Sequence, residues 1–230
     1  MKPLGTGGVA WRIAMKDLRI EWRGRVVINQ VLPFAALVMV AFAFALDNDA
    51  VLQRTAGGLV WLATMFSTFL IVQRSYAADV DDGALESLRA AVVDMQGVFL
   101  GKSLAVMVEL FLLQWVLVLV GFVLYDVQMS ASGWGMLVVT MVGATLGLGF
   151  VGVLYGGLIA GAGYRETLLP LLVLPVVAPV LLAATRATES AIGVSGLTIA
   201  DGWPWVGILF VFAGIFGLGG LLSFDSVVEG

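Results

Sequence analysis

The residues of this sequence that could do chemistry are a small set of charged side chains beside long apolar stretches. The chain has 230 residues, with 12 Lys and Arg, 16 Asp and Glu, and neither Cys nor His. That composition excludes thiolate nucleophiles, Cys/His zinc sites and catalytic triads that use His. It also excludes the commonest axial ligand of haem iron. We therefore predict no catalytic residue, no metal ligand and no directly bound cofactor on this chain.

The longest connection between the apolar stretches is 74–102, and it carries several of these charges. It opens with acids and continues into a short amphipathic helix at about 83–91, in which Glu86 and Arg89 are spaced i, i+3 and can pair. Such a helix suits a groove on a soluble partner, although an ordinary solvated loop is the alternative. The candidate contact residues are Asp79, Asp81, Asp82, Leu85, Glu86, Leu88 and Arg89.

Glu109 is the one acid placed inside an apolar stretch, about two turns beyond Lys102 on the same helix face. An ionised group at mid-bilayer is costly, so the Lys102 ammonium is expected to reach toward the Glu109 carboxylate. Two interpretations stay open. Glu109 has an interfacial or paired structural role, or it takes part in conformational coupling or substrate contact.

Six apolar stretches must position these residues. They cover about 26–46, 56–73, 103–125, 134–160, 167–185 and 203–224, in a chain that is 60% hydrophobic and 12% charged. About 20 apolar residues in a helix cross the ~30 Å hydrocarbon layer, and a helix satisfies its own backbone there. The sequence predicts an all-α polytopic membrane protein, organised as a single permease domain over 1–230.

The basic residues predict the orientation. Ten of the twelve Lys and Arg lie before the first span or in the connections 74–102 and 161–167; only Arg54 and Arg186 lie in the alternate loops. Loops rich in Lys and Arg stay in the cytoplasm, so both termini are expected there, with the chain in the inner membrane. Aromatic residues at predicted span ends suggest headgroup anchors: Trp61, Tyr76, Tyr125, Trp134, Tyr164, Trp203 and Trp205.

An amphipathic helix is predicted over 9–24, before the first span. Trp11, Met15 and Trp22 share one face with other apolar residues, and basic residues occupy a flank. This pattern is typical of a helix in the membrane interface. It predicts either a simple lipid anchor or an elbow that also contacts a cytoplasmic partner.

Two spans carry residues that shape helix packing. Segment 134–160 has small residues four apart, among them Gly143, Gly147, Gly152 and Gly156. They allow close helix approach, within the chain or across a homodimer. Segment 167–185 contains Pro170, Pro175 and Pro179, each expected to kink or break the helix, as a hinge beside a path or as a static bend.

The run VDDGALESL in the connection 74–102, LGK at 100–102, and LLPLLVLPVVAPVLLAATRATE at 168–189 resemble the haem exporter protein B family. The resemblance implies a six-helix permease that binds a cytoplasmic ATPase and acts in cytochrome c maturation with a haem-handling membrane subunit and a haem chaperone. By position, Asp82, Gly83, Leu85 and Glu86 would contact the ATPase, and Lys102 would end the coupling segment. The span-five signature is matched by Pro175, Pro179, Arg186 and Glu189.

Three functions of different classes remain at this point. The first is the membrane subunit of an ABC-type complex, with ATP and haem handled by partner chains. The second is an ion-coupled transporter, disfavoured because Glu109 is solitary and shallow. The third is a non-transporting assembly scaffold, suggested by the glycine faces; a permease for a different substrate is a variant of the first. No nucleic-acid partner is predicted.

Overall fold

The structure, a computed structural model, describes residues 5–46, 48–81, 94–160 and 165–229. Within these ranges it has seven α-helices and no strand. They are α1 Thr6–Gly24, α2 Leu32–Ala45, α3 Asp49–Asp81, α4 Met95–Leu124, α5 Ala131–Ile159, α6 Arg165–Ile192 and α7 Ile199–Glu229. A π-helical turn, Val27–Val31, leads into α2, and a 3₁₀ turn, Val194–Gly196, precedes α7. The all-α prediction is confirmed.

Six helical segments are long and apolar enough to cross a membrane within the part of the chain that is described. They are Val27–Ala45, Asp49–Ala77, Met95–Leu124, Ala131–Ile159, Leu168–Ile192 and Ile199–Ser226. The predicted number of spans is confirmed, but the predicted ends were wrong for three of them, since the fifth span continues to Ile192. Helix α3 continues to Asp81 and α4 begins at Met95, so much of the connection 74–102 is helical. The helices continue through polar residues at these ends, and a hydropathy pattern detects only the apolar part of a helix.

Local capping explains several helix ends. The Asn48 side chain accepts hydrogen bonds from the first turn of α3, and the Asp94 side chain accepts one from the Gln96 N–H of α4. Thr198 donates from its backbone N–H and its hydroxyl to Asp201 before α7. These oxygens satisfy helix N–H groups, or hold the entering chain, where no helical carbonyl is available.

The four glycines singled out in α5 lie at contacts within the chain. A Cβ at Gly143 would lie 3.0 Å from Leu209 Cβ of α7, and one at Gly147 would lie 3.2 Å from Phe212 of α7. On the opposite side, a Cβ at Gly152 would meet Val72, and one at Gly156 would meet Tyr76 and Val72, all on α3. Helix α5 therefore packs closely between α3 and α7 because it lacks side chains there.

Helix α6 is continuous from Arg165 to Ile192 through all three prolines, so no proline breaks it, and the alternative of a kink stays a prediction. Pro175 and Pro179 lie on its exposed side, while Val173, Val177 and Val180 are buried. The prolines thus face away from the core of the bundle. Packing of the opposite face holds the helix together where backbone donors are missing.

Three of the aromatic residues expected at headgroup level are buried in the protein. Trp61 donates its indole N–H to the Thr188 hydroxyl at 2.8 Å. The Tyr76 hydroxyl donates to the Val153 carbonyl at 2.7 Å, and the Tyr125 hydroxyl donates to the Met39 carbonyl at 2.9 Å. These polar tips connect helices, because buried donors need a partner.

Helix α1 packs along the beginning of α4. Its buried residues are Val9, Ile13, Ala14 and Asp17. A Cβ at Gly101 would lie 2.5 Å from the Ala10 carbonyl oxygen, and one at Gly97 would lie 2.7 Å from Val9 Cβ. Two glycines four residues apart therefore bring α1 and α4 into backbone contact at this end of the bundle.

Candidate functional site: a buried lysine–aspartate cluster

Two lysines and two aspartates form a closed ion-pair cluster where α1, α3 and α4 meet. Lys16 Nζ lies 3.2 Å from Asp17 Oδ1 and 2.7 Å from Asp79 Oδ1. Lys102 Nζ lies 3.2 Å from Asp17 Oδ2 and 2.5 Å from Asp79 Oδ2. Each carboxylate thus contacts both ammonium groups, through different oxygens. We call these four residues the Lys–Asp square.

Three members of the square are buried, and its four charges balance. Asp79 is 2% exposed and Lys102 1% exposed, whereas Lys16 reaches the surface with 37% of its side chain accessible. Buried charges are tolerated when they are paired, and two positive and two negative charges cancel here. The arrangement therefore depends on the presence of all four charges.

The electrostatics of the square favour the ionised forms. Burial by itself raises the pKa of the Asp79 carboxyl, but the Lys102 and Lys16 ammonium groups outweigh burial and lower it below its ordinary value. Burial likewise acts to lower the pKa of Lys16, yet Asp79 and Asp17 raise it above its ordinary value. Both side chains are therefore charged at neutral pH.

Lys102 has further contacts that fix its position. Its Nζ donates to the Ser75 hydroxyl at 3.1 Å and lies 4.7 Å from the centre of the Tyr76 ring. The ring face attracts a cation, and the Tyr76 hydroxyl is itself held by α5. The ammonium group is thereby linked to α1, α3 and, through Tyr76, to α5.

The sequence brings the square together by simple spacing. Val9, Ile13 and Asp17 are four residues apart, so all three lie on the face of α1 that meets α4. Asp79 lies in the last turn of α3, and Lys102 lies just after Gly101, where α1 approaches most closely. The two helices that flank residues 82–93 are thus both tied to α1.

Lys102 does not make the contact that the sequence suggested. Its ammonium group turns toward Asp17 and Asp79, so the expected pairing with Glu109 was wrong. Glu109 is partly buried and lines a cavity of about 70 Å³ between α1, α3 and α4, together with Glu21 and Arg74. The physical reason is that α1 and α3 bring two aspartates within ion-pair distance of the Lys102 ammonium.

Comparison with known proteins agrees with this helical frame. The model of the family described as "CcmB protein" matches residues 8–214. The chain belongs to the CcmB family. The match begins in α1 and ends within α7, so it includes the square, the first five spans and the first part of the sixth.

Two similar proteins match this CcmB chain over most of its length. Heme exporter protein B of Haemophilus influenzae is 29% identical over 186 residues, which cover 78% of this chain and 80% of that protein. Heme exporter protein B of Rhodobacter capsulatus is 29% identical over 185 residues, covering 80% and 83% respectively. The Escherichia coli protein of the same name is 31% identical over 96 residues, 41% of this chain and 44% of that protein.

The remaining candidate residues fall into three groups in this CcmB chain. Asp82, Gly83, Leu85, Glu86, Leu88 and Arg89, with the predicted helix at 83–91, lie outside the described residues. Asp79 has its carboxylate inside the square, where it pairs with Lys16 and Lys102. At the other end of the bundle, Arg186 Nη1 pairs with Glu189 Oε2 at 2.9 Å across one turn of α6.

Sequence reasoning missed Lys16 and Asp17 as members of a site. The sequence pattern places Lys16 on the basic flank of this helix and Asp17 on the opposite flank, because the apolar face runs through Trp11, Met15 and Trp22. The signal that could have found them was the repeat Val9, Ile13, Asp17 opposite the pair Gly97 and Gly101. Each repeat has a period of four, which is the signature of two helices in close contact.

Proposed function

We propose that this chain is the membrane subunit of an ABC-type complex that exports haem or releases a haem-loaded chaperone during cytochrome c maturation. ATP is hydrolysed on a separate cytoplasmic subunit, which binds the connection 74–102 through its predicted helix at about 83–91. Membership of the CcmB family and the name of its relatives, heme exporter protein B, support the haem part of this proposal.

The observation that carries the coupling part is the Lys–Asp square. A subunit that pushes on the predicted helix at 83–91 acts on the end of α3 and the beginning of α4. Asp79 and Lys102 lie there, and both are bound to α1. A displacement of the segment is therefore transmitted to three helices together, since breaking a buried ion pair costs about 3–5 kcal/mol.

Haem itself is proposed to be ligated by partner subunits. The chain contains no His and no Cys, so iron ligands from this subunit would have to be Met or Tyr. On this view the subunit converts motion driven by ATP into hand-over of haem, in an inner membrane with both termini in the cytoplasm. Stoichiometric haem absorbance by the isolated chain, abolished by specific Met or Tyr substitutions, would contradict that assignment.

The docking proposal is tested by co-purification with the ATPase subunit. Glu86→Arg reverses a charge in the proposed docking segment, and Asp49→Arg makes the same reversal at an exposed position at the opposite end of α3. We expect Glu86→Arg to reduce recovery of the ATPase at least tenfold and Asp49→Arg to leave it within twofold. Equal recovery with both variants would refute the docking site.

A functional arm separates a driven permease from an assembly scaffold. Cytochrome c maturation is measured in cells that carry either an active ATPase subunit or one that binds but does not hydrolyse ATP. A driven permease loses maturation with the inactive ATPase. Full maturation with the inactive ATPase would favour the scaffold and overturn the coupling mechanism.

A further inference from the structure

We propose that the outward face of α1 is a binding site for anionic phospholipid headgroups. This surface consists of Trp11, Arg12, Met15, Lys16, Arg19, Ile20 and Arg23, which line a shallow groove of about 500 Å³. We call it the α1 groove. It lies on the side of α1 that faces away from α4.

The charges of the α1 groove are all positive because the acidic side chains of α1 make contacts outside the groove. Helix α1 contains two acids, Asp17 and Glu21. Asp17 is buried in the square, and the Glu21 carboxylate accepts the Val27 N–H at 2.6 Å in the turn before α2. Arg12, Arg19 and Arg23 remain exposed, and no acid is among the described residues that line the groove. The groove is therefore positive.

The same face exposes large apolar side chains. Trp22 is 82% exposed and Trp11 is 62% exposed, and Met15 and Ile20 are exposed between them. Trp is favoured at the level of lipid headgroups, where its ring contacts the acyl boundary and its N–H meets water. Arginine beside tryptophan thus matches a phosphate above a hydrocarbon surface, which is the chemistry of an anionic lipid.

Continuity with the first span favours lipid over a soluble acidic protein. Helix α1 ends at Gly24, Arg25 turns the chain with a left-handed φ of 50°, and the span begins at Val27. Exposed apolar residues continue from Trp22 through Ile28 into the span, where Phe34 and Leu37 are also exposed. The apolar side of the α1 groove thus leads into the surface that contacts acyl chains.

The test measures lipid binding to the full-length protein in detergent by native mass spectrometry. The probes are phosphatidylglycerol, which is anionic, and phosphatidylcholine, which is zwitterionic, at equal concentrations. The variant Arg12→Gln/Arg19→Gln removes two charges from the groove. The control Arg54→Gln/Arg186→Gln removes two exposed charges from the opposite end of the bundle.

We expect the natural protein to prefer phosphatidylglycerol, and the groove variant to bind it about 25-fold more weakly. One basic residue near an anionic surface contributes about fivefold in affinity, and the variant loses two. The control should change by less than threefold, and phosphatidylcholine binding should be unchanged in both. Because all four arginines are on the surface, elution and melting temperature should match the natural protein.

Two results would overturn the proposal. The first is equal binding of the two lipids by the natural protein, or equal losses in the two variants. The second is a groove variant that keeps its phosphatidylglycerol but no longer co-purifies with the ATPase subunit. That second result would assign the α1 groove to an acidic protein surface instead of a lipid.

Discussion

The Lys–Asp square leads to a sharp prediction about Asp79→Asn. The substitution keeps the shape of the side chain but leaves two lysines facing one aspartate. An uncompensated buried charge costs about 3–5 kcal/mol. Lys102 would keep Asp17 at 3.2 Å and the Ser75 hydroxyl at 3.1 Å, so we expect the lower end, about 3 kcal/mol.

The assay uses the absence of cysteine in the chain, so that one introduced thiol reports one position. Ala14 is 1% exposed on the face of α1 that meets α4, and Ala14→Cys is modified by a maleimide only when α1 detaches. When opening and closing are fast, the labelling rate follows the population of the open state. A cost of about 3 kcal/mol corresponds to labelling roughly 100-fold faster.

Two controls make the result decisive. Ala144→Cys lies fully buried on α5, and its labelling reports global unfolding instead of detachment of α1. The double variant Asp79→Asn/Lys102→Gln restores charge balance, and its Ala14→Cys labelling should be at least tenfold slower than that of Asp79→Asn alone. If Asp79→Asn raises Ala14→Cys labelling less than threefold, the square does not hold α1, and the argument for coupling through it fails.

Two further predictions concern the same contact. Gly101→Ala places a methyl group 2.5 Å from the Ala10 carbonyl oxygen, so it should destabilise the packing of α1 by about 1–3 kcal/mol and raise Ala14→Cys labelling about tenfold. The control Gly7→Ala, whose methyl group meets nothing within 4 Å, should leave labelling unchanged. Equal effects of the two variants would contradict the close approach of α1 and α4. Because the pKa of Asp79 is lowered, its contribution to stability is complete above the ordinary aspartate pKa of about 3.9 and is lost as pH falls through the lower native pKa. Because the pKa of Lys16 is raised, its contribution is complete below about 10.4 and is lost as pH rises through the higher native pKa. The melting-temperature difference between the natural protein and Asp79→Asn should therefore be constant from about pH 5 to 10 and shrink toward pH 3; a difference that disappears already at pH 6 would refute the assignment of charge states.

The sequence by itself determined the spans, because the free energy of inserting a helix into lipid depends on the composition of a local window of residues. All six predicted spans are present, and each is recognisable without any partner. The spacing of glycines in α5 likewise indicated close packing, since small residues four apart lie on one helix face whatever they meet. Helix α1 was also predictable, apart from its first residues.

Only the tertiary structure decided which polar groups meet. Lys16 and Asp79 are 63 residues apart in the chain, Asp17 and Lys102 are 85 apart, and Trp61 and Thr188 are 127 apart. No periodicity within one helix encodes such pairs. The nearest charge along α4 suggested Glu109 as the partner of Lys102, and only the packing of α1 against Gly97 and Gly101 put two aspartates closer.

The physical reason for this division is the range of the forces involved. Burial of apolar surface is additive and non-directional, so a local sequence window is enough to find the helices that the membrane accepts. Ion pairs and hydrogen bonds act over a few ångströms and depend on direction, so they exist only after the helices have been placed. Apolar composition therefore specified the six spans of this CcmB chain, whereas the arrangement of those spans and α1 created the buried charge cluster.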